Sequence, residues 1–304
     1  DGRIFLRAPA SLTHLGGVDP RKIARAMVAR KPLRELMEER EHQGLHGWTL
    51  CLFPTAELAA QAKLRLEEYT HQVIRACYLD KIDPVGEWKR IYKEVGKIKK
   101  WLNALPVKCF HIEAEHIDLR ITPGESRRWI GISGHNIPSF ELFMSPDWRG
   151  TEGTFYANQA SYRSGNYVEG VRLSFEKGNV VDVKAEKGDA FTKKQLAMDP
   201  GAKRVGEFSL TDRRFSRIDR FMADTLFDEN YGGEYGNTHI ALGASYTDTF
   251  SGDISQMNKA LKKKLGFNDS ALHWDLVNTE RKTVTAMLKN GKKLVIYENG
   301  QFCR

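Results

Sequence analysis

Two histidines of this sequence stand in apolar runs with a second chemically active side chain close by. His239 begins the run HIALG directly after a loop rich in glycine and asparagine, and Tyr246 follows it. Imidazoles in such settings are common metal ligands. His273 and Asp275 flank a tryptophan in ALHWDLV, and on a strand two side chains separated by one residue point to the same face. A single H-x-D match is a weak signal, but a second histidine in an apolar frame strengthens it.

Two acidic residues also lie inside apolar runs. Glu141 is flanked by NIPSF and LFMSPD, and Glu207 lies in VGEFSL. An unpaired carboxylate is costly to bury, so each of these residues needs a partner. A metal ion is one such partner, and an arginine in a structural ion pair is the alternative.

Another set of donors occupies one strand-like segment. His111, Glu113 and Glu115 alternate along it, with His116 next to the last, and this face would make a three-ligand cluster. An exposed strand of mixed charge explains the same pattern, and no second element is expected to close a site there. The other histidines have no second ligand at suitable spacing and are assigned no role: His14, His42, His46, His71 and His135.

The composition is that of an ordinary globular protein. Of 304 residues, 41% are hydrophobic and 28% charged. No segment has the length of a membrane span or the layout of a signal peptide, which predicts a cytoplasmic protein without membrane association. The net charge is +8, but lysines and arginines are spread over many segments, so nucleic-acid binding is not expected. The four cysteines form no CxxC pair, which argues against a zinc ribbon.

The first third of the chain, residues 1–105, alternates strand and helix patterns and is predicted to be a partial α/β domain. Asp19-Pro20 predicts a helix start, with an interruption near Pro32. HGWTLCLFP predicts a buried strand. Thr55 and Asp83 are predicted to cap further helices. Because the sequence begins at Asp1 and enters the strand-like IFLRA almost at once, we expect the ordered start of the native protein to lie upstream.

The remainder, residues 106–304, is predicted to be a β-rich α+β metal-binding domain. VKCFHIEAEHIDLRIT alternates as strands do, and a hairpin is predicted around Lys177-Gly178-Asn179, where glycine and asparagine suit positive φ. FSRIDRFMADTLF has the pattern of an amphipathic helix. The end of the chain predicts a hairpin with Asn290-Gly291 at its tip and a second turn at Asn299-Gly300.

Taken together, these motifs resemble those of the thermophilic metalloaminopeptidases, the aminopeptidase S and T or PepS-type family. The resemblance rests on NIPSFELFMSPD, GVRLSFEKGNVVDVKAEKG, VGEFSL, TLFDEN, NTHIALGASY and ALHWDLV in the family's order and approximate spacing. It is strongest from about Asn136 onward. It implies a dinuclear metal centre, release of N-terminal residues from short peptides, and a homodimer whose active sites open into an enclosed cavity.

The resemblance also implies roles for individual residues. Six positions match the family's metal ligands, with Glu207 bridging both ions: Glu141, Glu207, His239, Tyr246, His273 and Asp275. Glu229 in DEN matches another acid of the site. The connection YGGEYGNT is longer than in typical members, however, which makes Glu234 an alternative.

The donors are oxygen and imidazole without thiolate, which suits two ions of zinc, cobalt, manganese or magnesium. The ions would activate a water for peptide hydrolysis. Glu207 or Glu229 would move the proton to the leaving amine, and Tyr246 would bind a metal or donate to the oxyanion. A non-catalytic metal-binding or peptide-binding relative is the alternative function.

Overall fold

The computed structural model of the protein describes residues 2–304. Over this range the chain forms seven α-helices and three β-sheets. The helices are α1 (Pro20–His42), α2 (Ala56–Gln61), α3 (Leu66–Ala76), α4 (Pro84–Ala104), α5 (Asp189–Leu196), α6 (Thr225–Asp228) and α7 (Lys259–Leu265). The strands are β1 (Gly2–Arg7), β2 (Gly47–Leu52), β3 (Val107–Ala114), β4 (Ile117–Ile121), β5 (Asn136–Ile137), β6 (Glu141–Met144), β7 (Glu152–Ala157), β8 (Ser161–Arg163), β9 (Asn166–Glu176), β10 (Asn179–Lys187), β11 (Val205–Thr211), β12 (Asn237–Gly243), β13 (His273–Asn278), β14 (Lys282–Leu288), β15 (Lys293–Glu298) and β16 (Gln301–Phe302).

The N-terminal part combines the small sheet β1-β2-β5, which is parallel, with helices α1 to α4. The predicted helix starts are confirmed, since the Thr55 side chain accepts from the amide of Leu58 and that of Asp83 from the amide of Gly86. Helix α1 runs through Pro32 without a break, so the predicted interruption is wrong. A proline costs an α-helix one backbone hydrogen bond, and here that loss does not end the helix.

The prediction of a buried second strand is also wrong in part. Within β2 only Leu52 is buried. The neighbouring strand β1 leaves Ile4 77% and Leu6 67% exposed. Side chains project from the faces of a sheet, and the faces of this small sheet are only partly covered at β1 and β2.

The nine-stranded sheet has the order β10-β9-β7-β4-β3-β14-β15-β16, with β8 paired to β9. The β9–β10, β14–β15 and β15–β16 hairpins are those predicted from the sequence. In the β9–β10 turn, however, the positive φ angles belong to Lys177 and Gly178, at 48° and 76°, and not to Asn179. A two-residue turn of this kind places both central residues at positive φ, and the central pair begins one residue earlier than expected. The final turns place Gly291, Asn299 and Gly300 at positive φ.

The amphipathic helix predicted over FSRIDRFMADTLF forms only at the end of that segment, where α6 begins at Thr225. Residues 212–224 form a loop, and helix is confined to α6. The buried Asp228 carboxylate accepts from the amides of Met222 and Asp224 at 2.7 and 3.0 Å. These bonds satisfy backbone donors in a non-helical turn, and Ala223 has a φ of 52°. Side-chain bonds of this kind compete with helix formation, and here they outweigh the apolar periodicity.

The third sheet is antiparallel, with the order β13-β12-β11-β6. All residues of β11 and β12 are buried. Helix α1 contacts two loops that adjoin this sheet: Lys31 forms an ion pair with Asp269 at 2.7 Å, and His42 contacts Asp248 at 3.0 Å. The loop with Asp248 also carries Tyr246, and the loop with Asp269 leads into His273. The N-terminal part thus braces loops that flank the four-stranded sheet.

Candidate metal centre

Each strand of the four-stranded sheet contributes to one cluster of acids and imidazoles. Glu141 begins β6, Glu207 lies on β11, His239 on β12, and β13 supplies His273 and Asp275. Glu207 and Asp275 are both in register with Ala241, which lies between them on β12. Since side chains alternate across a sheet, this register places the two carboxylates on one face.

The first half of the cluster is centred on His239, a fully buried residue. Its Nε2 lies 3.2 Å from Oε2 of Glu141 and 3.1 Å from Oε1 of Glu207. The two glutamates are 5% and 3% exposed. Three donor atoms therefore converge on one point in the interior.

The second half of the cluster uses the other oxygen of Glu207. Nε2 of His273 lies 3.7 Å from Oε2 of Glu207 and 3.4 Å from Oδ1 of Asp275. In each triad the three ligand atoms lie within 4.8 Å of one another, and Glu207 belongs to both triads. The cluster is thus two adjoining three-ligand sites with a shared carboxylate.

Polar groups behind the ligands orient them. The hydroxyl of Ser209 donates to Oε2 of Glu141 at 2.9 Å. The buried Asn230 side chain accepts from the amides of Phe140 and Glu141 at 2.6 and 3.1 Å. Nδ1 of His273 lies 3.0 Å from the carbonyl of Ala244. Because a carbonyl only accepts, Nδ1 carries a hydrogen there, and Nε2 faces the carboxylates, as in metal-binding histidines. Nδ1 of His239 has no such partner among residues 2–304.

The carboxyl groups of the cluster have pKa values shifted from their usual range. Burial, and then the charge of Glu141, raise the pKa of Glu207 to about 7. Burial and the neighbouring carboxylates raise the pKa of Glu229 well above its usual value. Burial opposes ionisation of Asp275 too, but the charges of His273 and His239 lower the pKa of that carboxyl to about 2. Carboxylates crowded at this depth are stabilised by positive charge, and divalent cations supply it at a site of oxygen and imidazole donors.

The two alternative acids, Glu229 and Glu234, lie at different distances from the cluster. Glu229 follows α6, is 8% exposed, and interacts electrostatically with Glu141, Asp275 and Glu207. Glu234 is exposed, and its backbone carbonyl accepts from Arg213 at 2.7 Å. Of the two, the structure brings Glu229 to the cluster and leaves Glu234 outside it.

Tyr246 lies at the rim of the cluster. Its ring is 4.7 Å from that of His273 between centroids, and the residue is 41% exposed. Burial of its phenol group, followed by the charges of Glu207 and Asp275, raises its pKa well above the usual value. The ring therefore lies beside His273, while the residue remains partly open to solvent.

Some residues around the centre were not predicted from the sequence. Ser209 carried a signal, since it lies two residues after Glu207 and so on the same face of β11. Asn230 and Arg163 carried none. The Arg163 guanidinium donates to the carbonyl of His273 at 2.8 Å from a hairpin more than a hundred residues away along the chain.

The other donor-rich segment does not join the cluster. His111 pairs with Asp118 at 2.7 Å and with Glu113 at 3.4 Å on an outer face of the nine-stranded sheet. No second element was expected to close a site there, but Glu280 lies 2.5 Å from Nδ1 of His116 and groups with it and Glu115. Glu115 and His116 are exposed, which fits a mixed-charge surface.

The two adjoining triads offer the ligands of a metal centre, and comparison with known proteins identifies the family. The model of the family described as "Thermophilic metalloprotease (M29)" matches residues 1–302. The chain belongs to this family, and it is accordingly a metallopeptidase, an enzyme that hydrolyses peptide bonds with the help of a divalent metal. The resemblance inferred from the motifs is confirmed.

Curated relatives agree with this assignment. The chain is 29% identical over 310 residues to aminopeptidase T of Thermus thermophilus, a match that covers 95% of this chain and 73% of that protein. It is 29% identical over 268 residues to aminopeptidase AmpS of Bacillus subtilis, covering 84% of this chain and 63% of that protein. The chain therefore corresponds to only part of the length of these relatives.

Solved structures support the fold. Wild-type AmpT from Thermus thermophilus superposes with a TM-score of 0.79 at 25% identity, covering all of this chain and 76% of that one. This match confirms the predicted α/β class. A 2,5-dihydroxypyridine dioxygenase from Pseudomonas putida KT2440 shares the fold at a TM-score of 0.50 and 13% identity. Because one fold hosts different chemistries, the function has to be argued from the site. Within residues 2–304, none of the helices combines the length and apolar character needed to cross a membrane.

Proposed function

We propose that the protein is a metal-dependent aminopeptidase whose centre holds two divalent ions, one in each triad. One observation carries this proposal. Oε1 of Glu207 lies 3.1 Å from Nε2 of His239, while Oε2 of the same carboxylate lies 3.7 Å from Nε2 of His273. A carboxylate with its two oxygens directed at separate histidines is suited to bridge two ions.

The ligands divide between the ions by position. Glu141 and His239 would hold one ion, His273 and Asp275 would hold the other, and Glu207 would serve both. Bound divalent ions would supply Lewis-acid chemistry there, by making a water more acidic and polarising the scissile carbonyl. The donor set suits zinc, cobalt, manganese or magnesium.

Two residues of the chain act on the substrate around the ions. With both oxygens of Glu207 engaged, Glu229 is the acid that carries the proton to the leaving amine. Its burial and its proximity to Glu141 and Asp275 support this role. Tyr246, open to solvent at the rim, donates to the developing oxyanion.

The substrates and assembly belong to the same proposal. Two relatives named as aminopeptidases favour removal of N-terminal residues, and short peptides are the substrates we propose. We also propose a homodimer in the cytoplasm, and sedimentation velocity tests the dimer directly. A single species of about 35 kDa would contradict it, since the chain mass is 34.6 kDa.

Replacing Glu207 with glutamine tests the centre. The variant keeps the shape of the side chain but removes its charge, so we expect metal content to fall from two ions per chain and hydrolysis of leucine p-nitroanilide to fall at least about 100-fold. Glu176→Gln, an exposed substitution on β9, is the matched control and should retain both properties. Full activity in Glu207→Gln would refute the assignment. A metal-loaded wild type that cleaves no aminoacyl substrate would favour the non-catalytic alternative.

A further inference from the structure

A small pocket adjoins the metal centre along strand β13. The side chains of His273, Asp275 and Val277 share one face of this strand, and the pocket is lined by the last two of them. The segment from Gln159 to Tyr162 forms one wall, and Thr225 and Asp228 of α6 form another. The cavity volume is about 10 Å³, which is room for one group the size of a water molecule.

One oxygen in this wall lacks a hydrogen-bond partner. The amide nitrogen of the Gln159 side chain donates to Oδ1 of Asp228 at 3.2 Å, and its backbone amide donates to the carbonyl of Val277 at 3.3 Å. Its side-chain oxygen is buried and has no partner within residues 2–304. A buried acceptor left unpaired is costly and calls for an explanation. A ligand that brings a hydrogen-bond donor to this oxygen would provide the missing partner.

Carboxyl groups line the wall around this oxygen. Asp228 is 5% exposed and accepts from two backbone amides and from Gln159. None of the ion pairs formed by residues 2–304 includes Asp228. Its neighbour Asp224, by contrast, pairs with Arg7 at 2.8 Å. Asp275 adds a second carboxylate to the pocket wall. The pocket therefore has room for one small group, and that group would face acceptor oxygens and two carboxyl groups.

We propose that this pocket binds the α-ammonium group of the peptide substrate, with the side-chain oxygen of Gln159 and the carboxylate of Asp228 as acceptors. An ammonium group has three donors and no acceptor, which matches the wall. The inference rests on the proposed aminopeptidase function and deepens it. An ammonium held beside Asp275 places the first peptide bond next to the centre, and the cavity has no room for an acylated amine. The pocket thereby restricts cleavage to the free N-terminus.

A pair of inhibitors that differ only in the amine tests the pocket. The inhibition constants of L-leucinol and 4-methylpentan-1-ol are measured against leucine p-nitroanilide for the metal-loaded wild type and for Gln159→Met. We expect the wild type to bind the amino alcohol at least about tenfold more tightly and the variant to bind both compounds nearly equally. The variant should also raise KM about tenfold and change kcat by less than about threefold.

Two further variants make the outcome decisive. Gln256→Met alters an exposed glutamine in a distant turn and should keep the wild-type preference. Asp228→Asn keeps the side-chain shape and should reduce the preference, so it serves if Gln159→Met fails to fold. An unchanged preference in the folded variants, or equal binding of both alcohols by the wild type, would overturn the subsite. Failure of the wild type to cleave any aminoacyl substrate would instead overturn the proposed function.

Discussion

The hydroxyl of Ser209 lies 2.9 Å from Oε2 of Glu141, across the boundary between strands β11 and β6. Oε2 of Glu141 is also the oxygen that lies 3.2 Å from Nε2 of His239. The serine therefore orients the carboxylate oxygen that we assign to an ion, and it does so from a fully buried position.

Replacement of Ser209 by alanine should weaken metal binding. Groups that orient a metal ligand typically contribute about 10- to 100-fold in affinity, so we expect a loss of that size with the fold retained. Competition with a chromophoric chelator measures the affinity. Ser174→Ala, on β9 away from the centre, should have no effect. Equal affinities in the two variants would remove Ser209 from the ligand network.

Replacement of Tyr246 by phenylalanine should separate catalysis from metal binding. The ring packs beside His273 at the open rim of the centre, and loss of its hydroxyl removes a donor to the oxyanion. We expect kcat to fall about 100-fold or more while metal content and KM stay near wild type. Tyr92→Phe, on the exposed side of α4, is the control. Loss of one ion in Tyr246→Phe would make the tyrosine a ligand instead.

A buried lysine outside the centre predicts a pH-dependent stability. Lys282 is 1% exposed, and its ammonium donates to the carbonyl of Tyr235 at 3.2 Å. Burial lowers the pKa of Lys282 to about 7, compared with about 10.4 in an unfolded chain. Between these two values the unfolded state binds a proton that the folded state lacks. The free energy of unfolding should therefore rise with pH over this range, and below about pH 7 the cost of the buried charge is fully present.

Lys282→Met should remove that dependence. We expect the variant to gain stability relative to wild type at pH 6 to 7, by up to about 4 kcal/mol, and the difference to shrink towards pH 10. Urea denaturation across this range measures it. Lys293→Met, an exposed substitution on β15, should leave the pH profile unchanged. Parallel profiles for wild type and Lys282→Met would show that Lys282 carries no such shift.

The sequence alone singled out most of the candidate side chains of the centre. Acids inside apolar runs at Glu141 and Glu207, and the H-x-D spacing of His273 and Asp275, are local signals because burial and strand alternation act over a few residues. The capped helices and glycine turns of the fold were predictable for the same reason. These signals name donors, but they do not say how the donors pair.

Only the tertiary structure decided that pairing. The register of four antiparallel strands directs the two oxygens of Glu207 at different histidines, and register depends on contacts between segments far apart in the chain. The fold likewise placed Glu229 at the cluster and left Glu234 exposed. It also replaced the predicted helix before Thr225 with a loop held by the Asp228 carboxylate. Gln159 had no local signal at all, because its role arises where a loop, a short helix and β13 meet around one small pocket.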